Sequence, residues 1–456
     1  YPLVTGVQTC ALPISLERLR REVEPVPAAA LSRLQLVRQG VSHPRPGRTP
    51  SRQGLDGLLD TCEQLQGVPL VISELETEIL PARVAGYSPL DLDALFAAGE
   101  LVWVGVEPLG ARDGRIALYL TDGLRRLWRP PRGPAGASGG PASRLLDLLR
   151  QRGAAFFEEL HGVDGGFPGE TLRLLWELVW CGLVTNDSLL PVRGRIRPRQ
   201  ARGPAVSARG PYRSRRTLPP EAAGRWALVE ARAGGPLPDD TQLAAALAER
   251  LLALHGVVAA GTTPALPVPG GLASLLEVLS SWERAGRLGR GLFVAGLGGL
   301  QFATTEAVEG LRGLREPPDT IPDEAPALAA SDPANPYGLL LPWPEPVGRQ
   351  RGRPSRSAGA RVLLVHGELA AWVGRGGRQV LLWLPDQEPA RTGWARAVAA
   401  GLAELARRAH ARVGGRAGFA VVEIDGGPAR QSPLAPLLTE VGFGWGPGGA
   451  CWTGGR

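Results

Sequence analysis

The chain has 456 residues, enough for two to four domains with cores of their own, and its 44% hydrophobic share is that of a globular protein. Net charge is +7, and the sequence holds no Met and no Lys, so every cation besides His is Arg. Without a Lys to reach the β- and γ-phosphates, an ordinary P-loop ATPase is excluded, and no apolar run approaches the roughly 18 residues of a membrane span.

A signal peptide's charged start is also missing, so the cytoplasm is the expected compartment. Cys10, Cys62, Cys181 and Cys451 form no C-x-x-C pair, and the five His are scattered, so no metal site is expected. Cys181, on an apolar helix, is expected in the core.

Residues 1–15 read as non-native: Val4 to Ile14 (VTGVQTCALPI) is what a common sequencing-adapter DNA encodes, and with the missing Met it marks the chain as a fragment. A helical lead-in follows over 16–68, with helices at Ala28 to Val37 and Gly54 to Leu65. The first winged-helix unit is expected over 69–130. It comprises a helix at Leu70 to Leu80, a second at Leu90 to Ala98 with Ser88 as N-cap and Pro89 at N1, and a hairpin of Leu101–Val104 and Arg115–Leu120 near the Asp113-Gly114 turn.

The same helix–helix–hairpin order returns over 142–232, with helices at Ser143 to Gln151, Phe156 to Leu160 and Gly169 to Trp180. There the hairpin strands, Leu183–Thr185 and Gly224–Val229, bracket an Arg-rich wing insertion at 192–216. A third copy spans 238–313, with helices at Gln242 to Leu254 and Gly271 to Ala285 and a hairpin of Arg287–Val294 with Gly299–Ala303. A Pro/Arg-rich linker covers 314–360. Residues 361–456 then read as a C-terminal module mixing strands with a long helix, Trp394 to Ala411. The fold class is therefore α+β: tandem winged-helix domains followed by a C-terminal α+β module.

Basic charge is concentrated. The stretch 192–216 holds nine Arg and no acid, and 345–361 holds five Arg and one acid, Glu345. Such loops suit phosphate contact, or are simply solvated. The candidate DNA contacts are Arg112 and Arg115 on the first wing, Arg193, Arg195, Arg197, Arg199 and Arg202 on the second, and Arg287 and Arg290 on the third. Ordinary hairpin solvation is the alternative for each. Trp103, Trp176, Trp180 and Trp282 lie on apolar faces and read as core.

Several runs carry a resemblance: GLLDTCEQLQGVPL (57–70), SELETEILPARV (73–84), LWELVWCGLVTNDSL (175–189), GLFVAGLGGLQFA (291–303), DPANPYGLLLPWP (332–344) and RVLLVHGELAAWVGRGGRQVLLWL (361–384). In this order they resemble the C-terminal region of large helicase-related (Lhr) DNA helicases. Departures are Arg38 in a run that is usually aromatic, His366 where Asp is usual, and a Gly-rich tail after Phe443.

The resemblance implies a parent with two RecA-like motor domains that use ATP and Mg to move on single-stranded DNA, absent from this chain, which itself needs no cofactor. It further implies DNA repair, DNA binding and oligomerisation in this region, and a likeness to tandem winged-helix DNA glycosylases, a uracil-DNA glycosylase activity having been assigned there. Such chemistry needs a carboxylate beside a flipped base. Asp425 and Asp187 are the candidates, each with a turn-forming alternative. Three functions stay open: a DNA-binding, self-associating accessory region, a glycosylase, or a structural self-association module. The expected partners are DNA, single-stranded or with a single-stranded tail, and a second copy of the chain, with no membrane.

Overall fold

The computed structural model describes residues 24–41, 52–130, 140–164, 167–196, 218–345, 352–412 and 419–453. Residues 1–15, like Arg197, Arg199 and Arg202, lie outside them. Helix α1 (Ala28–Arg38) buries every residue from Ala29 to Leu36, so it lacks the one-sided pattern of a surface helix. It is no free lead-in. Arg33 donates to the carbonyls of Leu314, Arg315 and His366, tying α1 to distant parts of the chain.

Unit 1 starts before Pro69, because its first helix is α2 (Gly54–Gln64), whose buried stripe of Leu58, Thr61 and Cys62 faces the helices and sheet that follow. Next come β1 (Leu70–Val71), α3 (Ile72–Glu74, continued by a π-helical stretch Leu75–Ile79), α4 (Pro89–Ala97), β2 (Leu101–Leu109), β3 (Asp113–Leu120) and α5 (Thr121–Leu127). The expected helix at Leu70 thus opens as a strand, paired with Arg115 and Ile116 of β3. Ser88 caps α4, its Oγ accepting from the Leu90 N–H.

Unit 2 repeats the order with α6 (Pro141–Arg152), β4 (Ala154–Phe156), α7 (Phe157–Asp164), α8 (Pro168–Trp180), β5 (Val184–Asn186), α9 (Leu190–Ile196), β6 (Arg225–Leu228) and α10 (Val229–Ala233). Unit 3 does so with α11 (Asp240–His255), β7 (Val257–Val258), short 3-10 turns, α12 (Leu276–Arg284), β8 (Gly289–Gly291), β9 (Gln301–Ala303) and α13 (Thr305–Gly313). A capping box of Asp239 with Gln242 starts α11, and left-handed Gly256 ends it.

The three sheets share one topology: β1-β3-β2, β4-β6-β5 and β8-β9-β7, the hairpin's return strand always central. This is the winged-helix arrangement, built three times. The units are not beads on a string, since one apolar core runs through all three from Leu58 to Phe302. A Cβ on Gly105 of β2 would stand 2.3 Å from the Val179 carbonyl oxygen, so only glycine lets α8 lie this close on unit 1.

The stretch 314–360 is no linker. Ala327–Ala329 forms β10, the edge of a six-stranded sheet, and the DPANPY run beyond it is buried. Its irregular backbone is satisfied from within: Asn335 donates to the carbonyls of Ala330 and Tyr337, and Arg356 to those of Ser331, Asp332, Asn335 and Tyr337. The rest of the sheet is β11 (Arg361–Val365), β12 (Glu368–Val373), β13 (Gln379–Leu382), β15 (Glu423–Ile424) and β16 (Gly427–Pro428). Helix α14 (Ala390–Arg412) lies across it. The run Ala420 to Ile424 is split between two sheets. Its first half, β14 (Ala420–Val421), pairs instead with β18 (Gly449–Trp452), which pairs with β17 (Phe443–Gly446), and α15 (Ala435–Glu440) precedes them.

A buried polar junction fastens this module to units 1 and 3. Arg83 grips Asp332 through both guanidinium Nη atoms and also donates to Gln39. Gln35 donates to the His255 carbonyl and accepts from His255 Nδ1 at 2.8 Å. Burial, with Arg356 and Arg38 nearby, holds His255 down to about 3, so it is neutral.

Candidate nucleic-acid interface

The wings place their arginines differently. In unit 1, Asp113 accepts from Ser73 Oγ at 2.6 Å and fixes the turn, Arg112 stands exposed at its tip, and Arg115 pairs with Glu107 across the hairpin. One of the two expected contacts is therefore spent internally.

At the base of the second wing both described arginines turn inward. Arg193 forks onto Glu76 through Nε and Nη2 at 2.7 and 2.8 Å, and its Nη1 reaches Asp93 at 2.8 Å. Those carboxylates raise its pKa. Arg195 lies over Trp176 and Trp180, 4.8 and 5.3 Å from the ring centroids, and its Nε finds no partner among the described residues. Both fasten the wing's root to the body: Arg193 to α3 and α4 of unit 1, Arg195 to α8.

In unit 3 the arginines face solvent. Arg287 rests 4.6 Å over the Trp282 ring with its guanidinium exposed, and Arg290 is exposed on the edge strand β8, with Glu283 only at 3.9 Å. Just beyond, Leu292 is 57% exposed. The loop behind it is held rigid: buried Gln301 accepts from the N–H groups of Phe293 and Val294 and donates to the carbonyls of Val294 and Gly298. Val26 bonds the same loop from the other side. Leu292 was not anticipated from sequence; its neighbours in GLFVAGLGGL are equally apolar, and only the fold separates outward from inward.

The third helix of a winged helix is the usual reader of the major groove. Here one face of α8 packs on unit 1, with Trp180 against Gly114 and Val179 against Gly105, and on its exposed face Arg173 is paired with Glu177. Helix α4 carries Asp91 and Asp93 and no base, and α12 shows Glu277 and Glu283 with Arg284 as its one cation.

In the second basic stretch two of the three described arginines are structural too. Arg356 is half-buried among carbonyls, its pKa lowered to about 10 by desolvation, and Arg361 pairs with Glu74 and Glu78. Arg353 is exposed, and Arg349 and Arg351 lie outside the described residues. Of the expected core tryptophans, Trp103 and Trp176 are buried, and Trp180 and Trp282 are partly so. Cys181 is exposed, a correction to the core expectation: α8 ends at Trp180, and Cys181 is its outward C-cap.

The two candidate carboxylates are far apart in role. Asp187 accepts from the Arg225 N–H and closes the strand pair, the turn role. Asp425 sits at φ +52° before Gly426, the two-residue turn between β15 and β16, and accepts from the Leu382 N–H at 2.9 Å. It also lines a cleft of about 460 Å³ with Glu388, Arg391, Thr392 and the apolar side chains of Leu384 and Leu437. Among the described residues, no group of three His, Cys, Asp or Glu could hold a metal, and no helix is long and apolar enough to cross a membrane.

Comparison with known proteins agrees with this geometry. The winged-helix domain of the large helicase-related protein matches residues 26–121, which take in unit 1 as far as the start of α5, and again 237–322, which contain unit 3. A Mycolicibacterium smegmatis protein named Lhr helicase/probable uracil glycosylase is 39% identical over 399 residues, 83% of this chain and 25% of its own length. An Escherichia coli protein named Lhr helicase/uracil glycosylase is 34% identical over 468 residues, 96% of this chain and 29% of its own length. The solved DNA glycosylase AlkZ of Streptomyces sahachiroi covers 82% of this chain and 97% of its own at 17% identity, with a TM-score of 0.47. The chain thus spans between a quarter and a third of the length of these curated relatives, and it resembles the winged-helix region of large helicase-related proteins.

Proposed function

We propose that this chain is the DNA-binding accessory region of an Lhr-type repair helicase, holding the sugar–phosphate backbone of a single strand, or of a duplex with a single-stranded tail, beside the motor. The observation that carries the reading is the outward set on unit 3: Arg287 braced on Trp282, with Arg290 on an open strand edge. Guanidinium groups held this way fork onto phosphates. Third helices that are acidic, or whose exposed cation is already paired with a carboxylate, argue against base reading in the major groove, so binding is indifferent to sequence. Self-association belongs to the same reading, on the strength of the family resemblance.

Anisotropy of a labelled oligonucleotide over a salt series tests it. If about five phosphates are held, log K falls against log salt with a slope near −3.5 for a single strand. Equal affinity for scrambled sequences is expected; a flat salt response contradicts the reading.

A second reading, excision of uracil, takes support from the cleft beside Asp425, where carboxylates meet apolar walls of a size that suits a small planar ligand. Incubation with a uracil-containing oligonucleotide should then yield abasic sites, and Asp425→Asn should stop their formation. No abasic product from the unaltered chain contradicts it.

A further inference from the structure

Two recesses open on either side of Leu292. One, about 510 Å³, is lined by Glu283, Arg290, Gly291, Leu292, Gly299 and Leu300. The other, about 400 Å³, is shared between Glu24 to Val26, Gly291 to Phe293 and α13 at Val308, Leu311 and Arg312. Gly291 and Leu292 belong to both, so the leucine is the wall that divides them.

Three physical features mark this wall as more than a stray surface leucine. It is rigid, because Gln301 and Val26 hydrogen-bond the loop from opposite sides. Glycine at 291 and 299 lets a ligand come close to the backbone. And the wall is flanked by cations: Arg284, Arg287 and Arg290 are all exposed within seven residues of chain. Recesses lined in part by Leu, Val and Gly, beside guanidinium groups that outnumber the Glu283 and Glu24 carboxylates, match the alternation of bases and phosphates along a single strand.

We infer that Leu292 is a wedge that separates two successive unstacked bases of a bound single strand, one in each recess, while Arg290 and Arg287 hold the neighbouring phosphates. This rests on the DNA-binding reading and adds to it a place and a local distortion. Apolar side chains pushed between base steps unstack them in the same way.

The test uses the full chain and a single-stranded oligonucleotide carrying one 2-aminopurine, whose fluorescence rises when it unstacks. The unaltered chain should raise the signal on binding. Leu292→Ala, at an exposed position that leaves the core intact, should abolish most of the rise and weaken binding about three- to tenfold with an unchanged salt slope. Leu292→Trp, which keeps a stacking surface, should preserve the rise. Binding by the unaltered chain with the same rise and affinity in Leu292→Ala overturns the wedge and leaves the DNA-binding reading standing. Absence of any binding overturns both. If Leu292→Ala changes only the sedimentation coefficient, the recesses serve contact between copies, and the wedge is again overturned.

Discussion

The root of the second wing and the edge of the third carry the same residue type at similar local density and use it oppositely. Arg193 and Arg195 are turned in, one onto two carboxylates and one onto two indoles. Arg287 and Arg290 are turned out, with a single carboxylate at the limit of pairing. The difference lies in what each strand's neighbours offer. Unit 2 is packed against unit 1, whose Glu76 and Asp93 face the wing root, whereas β8 is the outer strand of its sheet and meets solvent. Arginine count measures neither stability nor affinity until this is known.

Inward charges should show in stability and outward ones in salt dependence. The largest effect is expected at the buried junction. Asp332→Ala strands the Arg83 guanidinium, both side chains being almost wholly buried, and should cost about 3–5 kcal/mol in urea unfolding. A smaller loss, near that of a surface pair, would mean water reaches the junction.

His255 extends the inward case to pH. Its folded pKa of about 3 lies below the ordinary 6.5, so the unfolded chain takes up a proton first as pH falls. Its contribution is full above pH 6.5 and is lost between there and 3, at about 1.4 kcal/mol per pH unit. The urea midpoint should fall across that window, and His255→Gln should flatten the fall. Arg193→Ala comes next, leaving Glu76 and Asp93 half-exposed, so screening reduces the cost to about 1–2 kcal/mol. Its salt slope for DNA should match that of the unaltered chain.

The repeated order of helices and hairpins was legible because it is written in local signals: Ser88-Pro89 opens α4 and Gly99 follows it, while the first wing turns at 110–112, just ahead of the Asp113-Gly114 signal, which lies in β3. Strands β1, β4 and β7 were not, since two or three residues are too short for any period, and their pairing is decided by a return strand far along the chain. Helix α1 and the DPANPY run were read as lead-in and linker because one shows no one-sided apolar pattern and the other is Pro-rich, yet both are buried by contacts hundreds of residues away. The wing arginines were found as residues but not as orientations. Whether Arg193 meets Glu76, 117 positions earlier in the chain, is decided by the fold between them.

The outward case rests on one measurement: the salt dependence of single-stranded DNA binding by Arg287→Ala/Arg290→Ala beside the unaltered chain. The pair should change stability by no more than about 0.5 kcal/mol and make the log K against log salt slope shallower by about 1.4, two phosphates' worth. A slope equal to that of the unaltered chain would show that the outward arginines of unit 3 do not hold the backbone, and the account would fail at its centre.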